Sequence, residues 1–482
     1  MRRHLWGFLA AAMLAATAPV ITAAAAAPAK KPVPAKAAAK VPAKPAPKPA
    51  AKPAGLVAPA PLPDTPEIQA LRRAFRFGFA PYEMLRTRQL QLSRVAEAGF
   101  GTGVNALIPR VTLADANMRD VTTPNNDTLY ASAWLDLSEG PVFFSIPPIA
   151  RYHSASLMSI TSDVNAVLGT RTVGAAGGRY AIVGPGWNGE LPANVEKVQS
   201  QSNDAWLLVR VVVNDADDLP AAADALTRYT LSATGGSRAL DLKLPVRPDG
   251  KAFLTAVNAA IARSGDVLLM ERARQFADQG IGQAWETLSP ELQKRWTDSL
   301  PALIQEVRQL LESGEGIDGW AYPPFNMALY GEDDDLRATV ALGGLAALPR
   351  VEAVYLTARK DGEGRTLTGD KSWRLRVPAG LPVGGFWSLT MYEQTADGRL
   401  FFVPNELNRF AVGDRSRHIR PDRDGSIELF IQNARPSGER VVNWLPAPKG
   451  KFVLIFRAYL PGAGLLDGSA RLPPVTEGEL IP

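Results

Sequence analysis

At 482 residues the chain exceeds what one hydrophobic core organises, so two or more domains are expected. Its net charge of +5 is made at the N-terminus: residues 1–63 hold nine Lys/Arg and no Asp/Glu, leaving 44 basic against 48 acidic residues in 64–482. That mildly acidic remainder excludes the basic footprint of a nucleic-acid groove, and the lack of cysteine excludes disulfides and a lipid-modified cysteine.

Residues 1–27 have the layout of a secretory signal peptide: Arg2–Arg3, an apolar stretch from Leu5, and small residues at Ala23–Ala27. The same stretch is long enough to serve as an uncleaved anchor. A periplasmic or secreted location is expected, with an inner-membrane-anchored protein facing the periplasm as the alternative. Residues 28–63 are almost only Ala, Pro and Lys. Proline at that density prevents helix and sheet and leaves a disordered, extended linker, whose charge allows contact with an anionic envelope.

Folded sequence begins in a helical lead-in, 64–120. Asp64 or Thr65 can cap its first helix, Pro66 suits the first turn, Gly99 marks the stop, and Pro81 suggests a kink or break. Between 121 and 216 the period changes to two. In TLYASAWLDL, Leu129, Ala131, Ala133, Leu135 and Leu137 share one face, and Tyr130, Ser132, Trp134 and Asp136 the other. Further strands are expected at 141–147, 154–160, 179–184 and 205–213. Residues 217–347 read mostly as helix. Strands return over 348–474, with Asp–Gly pairs at 361–362, 397–398 and 424–425 as hairpin signals. Residues 475–482 are a tail. The expected class is multidomain α+β: two antiparallel β-sandwich or jelly-roll-like units, a helical N-terminal segment and a helical middle region.

Several familiar sites are absent. There is no G-x-S-x-G, S-x-x-K, H-E-x-x-H or Walker A motif, GPGWNG (184–189) reads as a Gly/Pro-rich turn, and only His153 and His418 lie beyond the leader. No metal or cofactor is expected. The carboxylates of GEDDDLR (331–337) more simply cap a helix. PDRDGS (421–426) lacks the glycine and closing glutamate of a calcium loop and suits a turn.

What remains is a polar and aromatic population on strand faces. Arg457 and Tyr459 continue the face of Val453 and Ile455, and Arg210 follows Trp206 and Leu208. An arginine on such a face must reach solvent or be paired, because an unpaired buried charge is very costly. Asp127, Asp136 and Glu393 are the expected partners. Asn125, Asn126 and Asp127 either form a local turn before the strand or line a pocket. Trp387 and Trp444 are either core or aromatic platforms. His153 is more simply a structural histidine than an acid or base.

The segments TTPNNDTLYASAWLDLSEGPV, RYHSASLMSI and GGRYAIVGPGW resemble the domain-of-unknown-function family numbered 1254. GFWSLTMYE, NRFAVGDR, DGSIELFIQ and NWLPAPKGKFVLIFRAYLP resemble family 1214. The resemblance implies β-sandwich or jelly-roll units with a helical part in bacterial, often exported proteins. It implies no activity and no cofactor. His153 departs from the aromatic that family 1254 often has there.

Two functions are compatible with this sequence. One is an exported protein that binds or acts on a small polar molecule or glycan between the β units. Its site residues would be Asn125, Asn126, Tyr130, Trp387, Tyr392, Trp444 and Arg457, with Asp127 as the catalytic group if it is an enzyme. The other is a non-enzymatic envelope protein presented on the Pro/Lys-rich stalk, a role compatible with a homo-oligomer.

Overall fold

A computed structural model describes residues 59–99, 101–119, 122–314, 316–395 and 398–479. The leader and nearly all of the Ala/Pro/Lys-rich segment lie outside the described residues. The chain enters through one long helix, α1 (Pro66–Glu97). The Ile68 amide donates to the Thr65 side chain at its start, and Gly99 takes a left-handed φ of +82° just past its end. Pro81 does not break this helix. A helix-interior proline costs about 3 kcal/mol, but Phe75, Phe77, Phe79, Tyr82 and Leu85 on either side are buried. Each such side chain contributes about 1.5–3 kcal/mol, so packing outweighs the lost bond.

Nine strands follow: β1 (Ile108–Arg110), β2 (Thr128–Asp136), β3 (Val142–Ile146), β4 (His153–Ser159), β5 (Val164–Gly169), β6 (Gly178–Val183), β7 (Glu196–Gln199), β8 (Asp204–Val212) and β9 (Thr230–Ala233). They form two sheets, in the orders β1-β2-β8-β4-β5 and β7-β6-β3-β9. Leu129, Ala131, Ala133 and Leu135 of β2 and Leu207, Val209 and Val211 of β8 meet Val142, Phe144 and Ile182 of the opposite sheet in one core. The alternation of TLYASAWLDL is therefore the two faces of a sandwich sheet. Its second face is buried too, because helices cover it.

The helix α2 (Leu219–Thr227) packs instead in the sandwich core, and the covering helices are α1, α3 (Gly250–Ser264), α4 (Val267–Arg274), α5 (Pro290–Glu312) and α6 (Asp334–Gly344). Phe253 and Val257 of α3 and Trp296 and Leu300 of α5 join α1 and the outer face of the first large sheet, where Trp134 and Trp206 stack 4.7 Å apart. At Gly78 the α1–α3 approach is so close that a Cβ would lie 2.9 Å from Val257. Strand β9 falls in the stretch expected to be helical. It joins β3 and completes the first sandwich's second sheet.

The second sandwich contains β10 (Trp320–Ala321), β11 (Ala353–Ala358), β12 (Ser372–Val377), β13 (Val383–Gln394), β14 (Leu400–Phe401), β15 (Ala411–Gly413), β16 (Ile427–Gln432), β17 (Trp444–Pro446), β18 (Phe452–Pro461) and β19 (Thr476–Gly478), with a short helix α7 (Ala463–Asp467). Its large sheet runs β10-β11-β18-β13-β14 with β15 also on β13, and its small one β17-β16-β12-β19. The tail thus supplies an edge strand. Of the three Asp–Gly signals, only the one around Gly398 joins antiparallel neighbours, β13 and β14. The other two sit in tight turns between strands of different sheets, because Asp–Gly specifies a local backbone turn and not the pairing beyond it. Among the described residues no helix is long and apolar enough to cross a membrane.

Candidate functional site

The outer faces of the two large sheets meet. From β13 and β18 come Phe386, Ser388, Thr390, Tyr392, Ile455, Arg457 and Tyr459. Trp387, Leu389 and Met391 point the other way into the second sandwich core, as period two requires. From β2 and β8 come Tyr130 and Arg210, opposite each other in register.

The PNNDT loop joins the two sandwiches. Asn125 Oδ1 accepts from the Asp127 amide at 2.6 Å, a local turn, while its Nδ2 donates to the Tyr459 hydroxyl at 2.7 Å. Asn126 Nδ2 donates to the Ala114 carbonyl, and the Tyr392 hydroxyl donates to the Pro124 carbonyl. Asp127 is buried. One carboxylate oxygen accepts from Ser388 at 2.6 Å and the other pairs with Arg415 at 3.0 Å. Arg415 also donates to the Val213 carbonyl and lies 3.9 Å from the Phe386 ring centroid.

The three carboxylates expected beside Arg210 and Arg457 go elsewhere. Asp127 takes Arg415, Asp136 takes Arg238 and Arg263, and Glu393 takes Arg119. Each serves an arginine nearer its own loop or strand end. Both guanidinium groups are buried, with 4% and 5% exposure, and no carboxylate of the described residues pairs with either. Arg210 donates to Ser156 Oγ at 2.9 Å and to the Ala346 carbonyl at 2.8 Å. Arg457 donates to Thr390 Oγ1 and the Tyr392 hydroxyl, both at 2.7 Å. These acceptors are all uncharged, and the Nε of neither arginine has a hydrogen bond among the described residues.

Tyrosines fill the space around the pair. Arg210 lies 5.7 Å from the Tyr130 ring centroid and Arg457 6.0 Å from that of Tyr355. Tyr152 donates to Glu352, whose other oxygen is held by Arg171 at 2.8 Å, so that carboxylate is also spent. Burial pushes the phenols of Tyr355 and Tyr392 up to about 12, although the neighbouring arginines pull them back. Burial also holds Tyr152 and Tyr459 well above the usual phenol value. Those four rings are neutral at neutral pH and cannot balance two cations. The Tyr130 and Tyr355 hydroxyls bond no protein group, and both side chains keep partial exposure within this deep region.

Among the sequence-selected residues, Asn125, Tyr130, Tyr392 and Arg457 come together here, with Asp127 and Asn126 anchoring the loop beside them. Trp387 stacks on Phe456 in the second sandwich core at 5.3 Å. Trp444 lies on the small sheet with its indole N–H on the Gln432 carbonyl. His153 is fully buried on the first sandwich's core side, its Nδ1 2.8 Å from the Tyr229 hydroxyl, and burial lowers its pKa. Tyr355 was missed, although it shares a strand face with Thr357 in AVYLTA, a polar face in a central strand.

Residues 104–233 match the family described as protein of unknown function (DUF1254), and 352–463 match the one described as protein of unknown function (DUF1214). The chain pairs a DUF1254 segment with a DUF1214 segment. Tyr130 and Arg210 belong to the DUF1254 segment, and Tyr355, Tyr392, Arg457 and Tyr459 to the DUF1214 segment, so each family supplies one of the two cations. The VPA0106 protein of Vibrio parahaemolyticus has a similar crystal structure: TM-score 0.62 and 23% identity, covering 86% of this chain and all of that one. A putative uncharacterized protein from Burkholderia cenocepacia is similar at TM-score 0.43 and 12% identity, covering 86% of this chain and 91% of that one. The first shows the same overall fold in a bacterial protein. No curated protein matches the chain.

Proposed function

We propose that this protein binds a small organic anion at the joint between its two sandwiches, with Arg210 and Arg457 as the charge clamp and Tyr130 and Tyr355 as neutral hydrogen-bond donors. One observation carries this: two buried guanidinium groups, one from each family segment, have no carboxylate partner among the described residues and keep unused N–H groups beside the partly exposed Tyr130 and Tyr355. Buried charges are ordinarily paired, and arginine is suited to carboxylate and phosphate recognition. Asp127 has no acid–base role in this proposal, since both its oxygens hold protein donors. A stacked glycan is not favoured, because Trp387 and Trp444 lie away from the pair.

The test is a thermal-shift titration of the full chain with succinate and with inorganic phosphate, at ionic strength matched with chloride. At 100 times its dissociation constant a ligand adds about 2.7 kcal/mol to apparent stability. That gain should vanish in Arg210→Gln and in Arg457→Gln. An equal rise in chloride alone, or a rise that survives both substitutions, overturns the proposal. Two arms distinguish the sources: succinate alone points to a carboxylate ligand, phosphate alone to a phosphorylated one.

Export belongs to the same proposal. It rests on the charged start, apolar stretch and small residues of 1–27 and on the Ala/Pro/Lys-rich segment after them. Fractionation of producing cells with N-terminal sequencing tests it. Cytoplasmic protein that retains Met1 would refute it.

A further inference from the structure

A cationic cavity adjoins the Arg210–Arg457 pair. Thr357 and Ile455 pair in register one step along the sheet from the Tyr355–Arg457 pair. They help to line a cavity of about 100 Å³ whose charged residues, among the described ones, are Arg308, Arg359 and Arg399, with no carboxylate among the described residues of its wall. A single water needs about 10–15 Å³, so the cavity has room for a carboxylate group with some of its hydration. The side-chain hydrogen bond of Arg308 is to the neutral Gln305, at 3.3 Å. Arg359 is half-buried and its Nε is sealed from solvent without a hydrogen-bond partner. Burial lowers its pKa, with Glu312 acting only partly against that. Neither Arg308 nor Arg359 forms an ion pair within the described residues.

Three stretches of backbone serve both the outer cavity and the inner arginine pair. Thr122 and Thr123 line the outer one, while Asn125 and Asp127 of the same loop frame the inner one. Leu342 and Gly343 line the outer one, while the Ala346 carbonyl holds Arg210. The neighbouring strands β11 and β18 supply Thr357 and Ile455 outside and Tyr355 and Arg457 inside. Thr123 Oγ1 also donates to the Gly343 carbonyl at 3.3 Å, joining two of these stretches.

We propose that this cavity and the arginine pair form one elongated site for a molecule with an anionic group at each end, one end on Arg210 and Arg457 and the other on Arg308 and Arg359. The inner end rests on the function proposed above. Four residues separate Tyr355 from Arg359, an extended rise of about 13 Å, so the molecule is longer than succinate.

Calorimetric titration of the full chain with linear α,ω-dicarboxylates of increasing length tests this. Affinity should climb with length to a maximum, about tenfold or more above succinate, the gain expected from one further charge-assisted contact. Arg359→Gln and Arg308→Gln should remove the length preference and leave succinate binding unchanged, and Arg359→Lys should restore part of it. A length-independent series that Arg457→Gln still abolishes overturns the elongated site and leaves the inner clamp standing. If no dicarboxylate of any length binds, the elongated site falls, and the inner clamp falls with it when phosphate also fails to bind. A length optimum that survives Arg359→Gln and Arg308→Gln also overturns the outer assignment.

Discussion

Arg457→Met should change stability far less than Arg415→Met, although both remove an arginine from the same joint. Holding the Arg457 guanidinium in the interior costs several kcal/mol of desolvation. Against that stand two hydrogen bonds to neutral hydroxyls, worth about 1.5–3 kcal/mol each for a charged donor. The Tyr392 and Tyr355 rings, at 5.6 and 6.0 Å, add about 0.5–2 kcal/mol each. These terms nearly cancel, so the net change from Arg457→Met is within about 2 kcal/mol, and no buried charge is left behind. Arg415→Met instead strands Asp127, 5% exposed, with only Ser388 and its local turn. Breaking a buried pair in this way costs about 3–5 kcal/mol. Urea unfolding of the full chain in chloride buffer, compared by midpoint at constant m-value, reads the difference. If Arg457→Met loses as much as Arg415→Met, the protein itself balances the Arg457 charge, and the anion clamp has no basis.

Other expectations follow from the same geometry. His153 has its pKa lowered from 6.5 by burial, so its contribution is complete above about pH 6.5 and declines as the unfolded chain takes up the proton below that. His153→Gln should flatten the stability profile between about pH 6.5 and 5, as followed by denaturation midpoints. Asp136 is held at about 2: burial alone would raise it, but Arg238 and Ser138 more than offset that. Its contribution is full above 3.8 and lost as pH falls through about 2, and Asp136→Asn should remove that part of the acid-unfolding curve. Gly78→Ala should destabilise by about 1–2 kcal/mol, because overpacking against Val257 outweighs the roughly 1 kcal/mol gain in helix propensity. Val257→Ala in the same chain should relieve the clash, and a double-mutant cycle measures the coupling.

Much of the architecture was legible because it follows from local rules. Period two in TLYASAWLDL and GFWSLTMYEQ sorted each strand's faces correctly, and Thr65, Pro66 and Gly99 bounded α1. What was not legible depended on partners distant in sequence. Pro81 stays helical because of the packing around it, and β9 is a strand because β3 offers it an edge. The Asp–Gly turns do not say which sheet the chain enters next. The site behaves the same way: strand alternation placed Arg210 and Arg457 on the faces that converge. Their expected carboxylates were assigned elsewhere by contacts such as Asp127–Arg415, which spans 288 residues. Tyr355 carried a weak signal, and the outer arginines carried none, since Arg308 sits on a helix and Arg359 beyond a strand end.

The joint also has a mechanical side. Arg210 rides on one sandwich and Arg457 on the other, so two like charges push the halves apart across a seam. Asn125–Tyr459, Ser388–Asp127 and Asp127–Arg415 clamp that seam shut. An anion lodged between the arginines would turn this repulsion into attraction to a shared counter-charge. Occupancy would then register as a stiffer hinge, which slower amide exchange in the 122–127 loop would reveal.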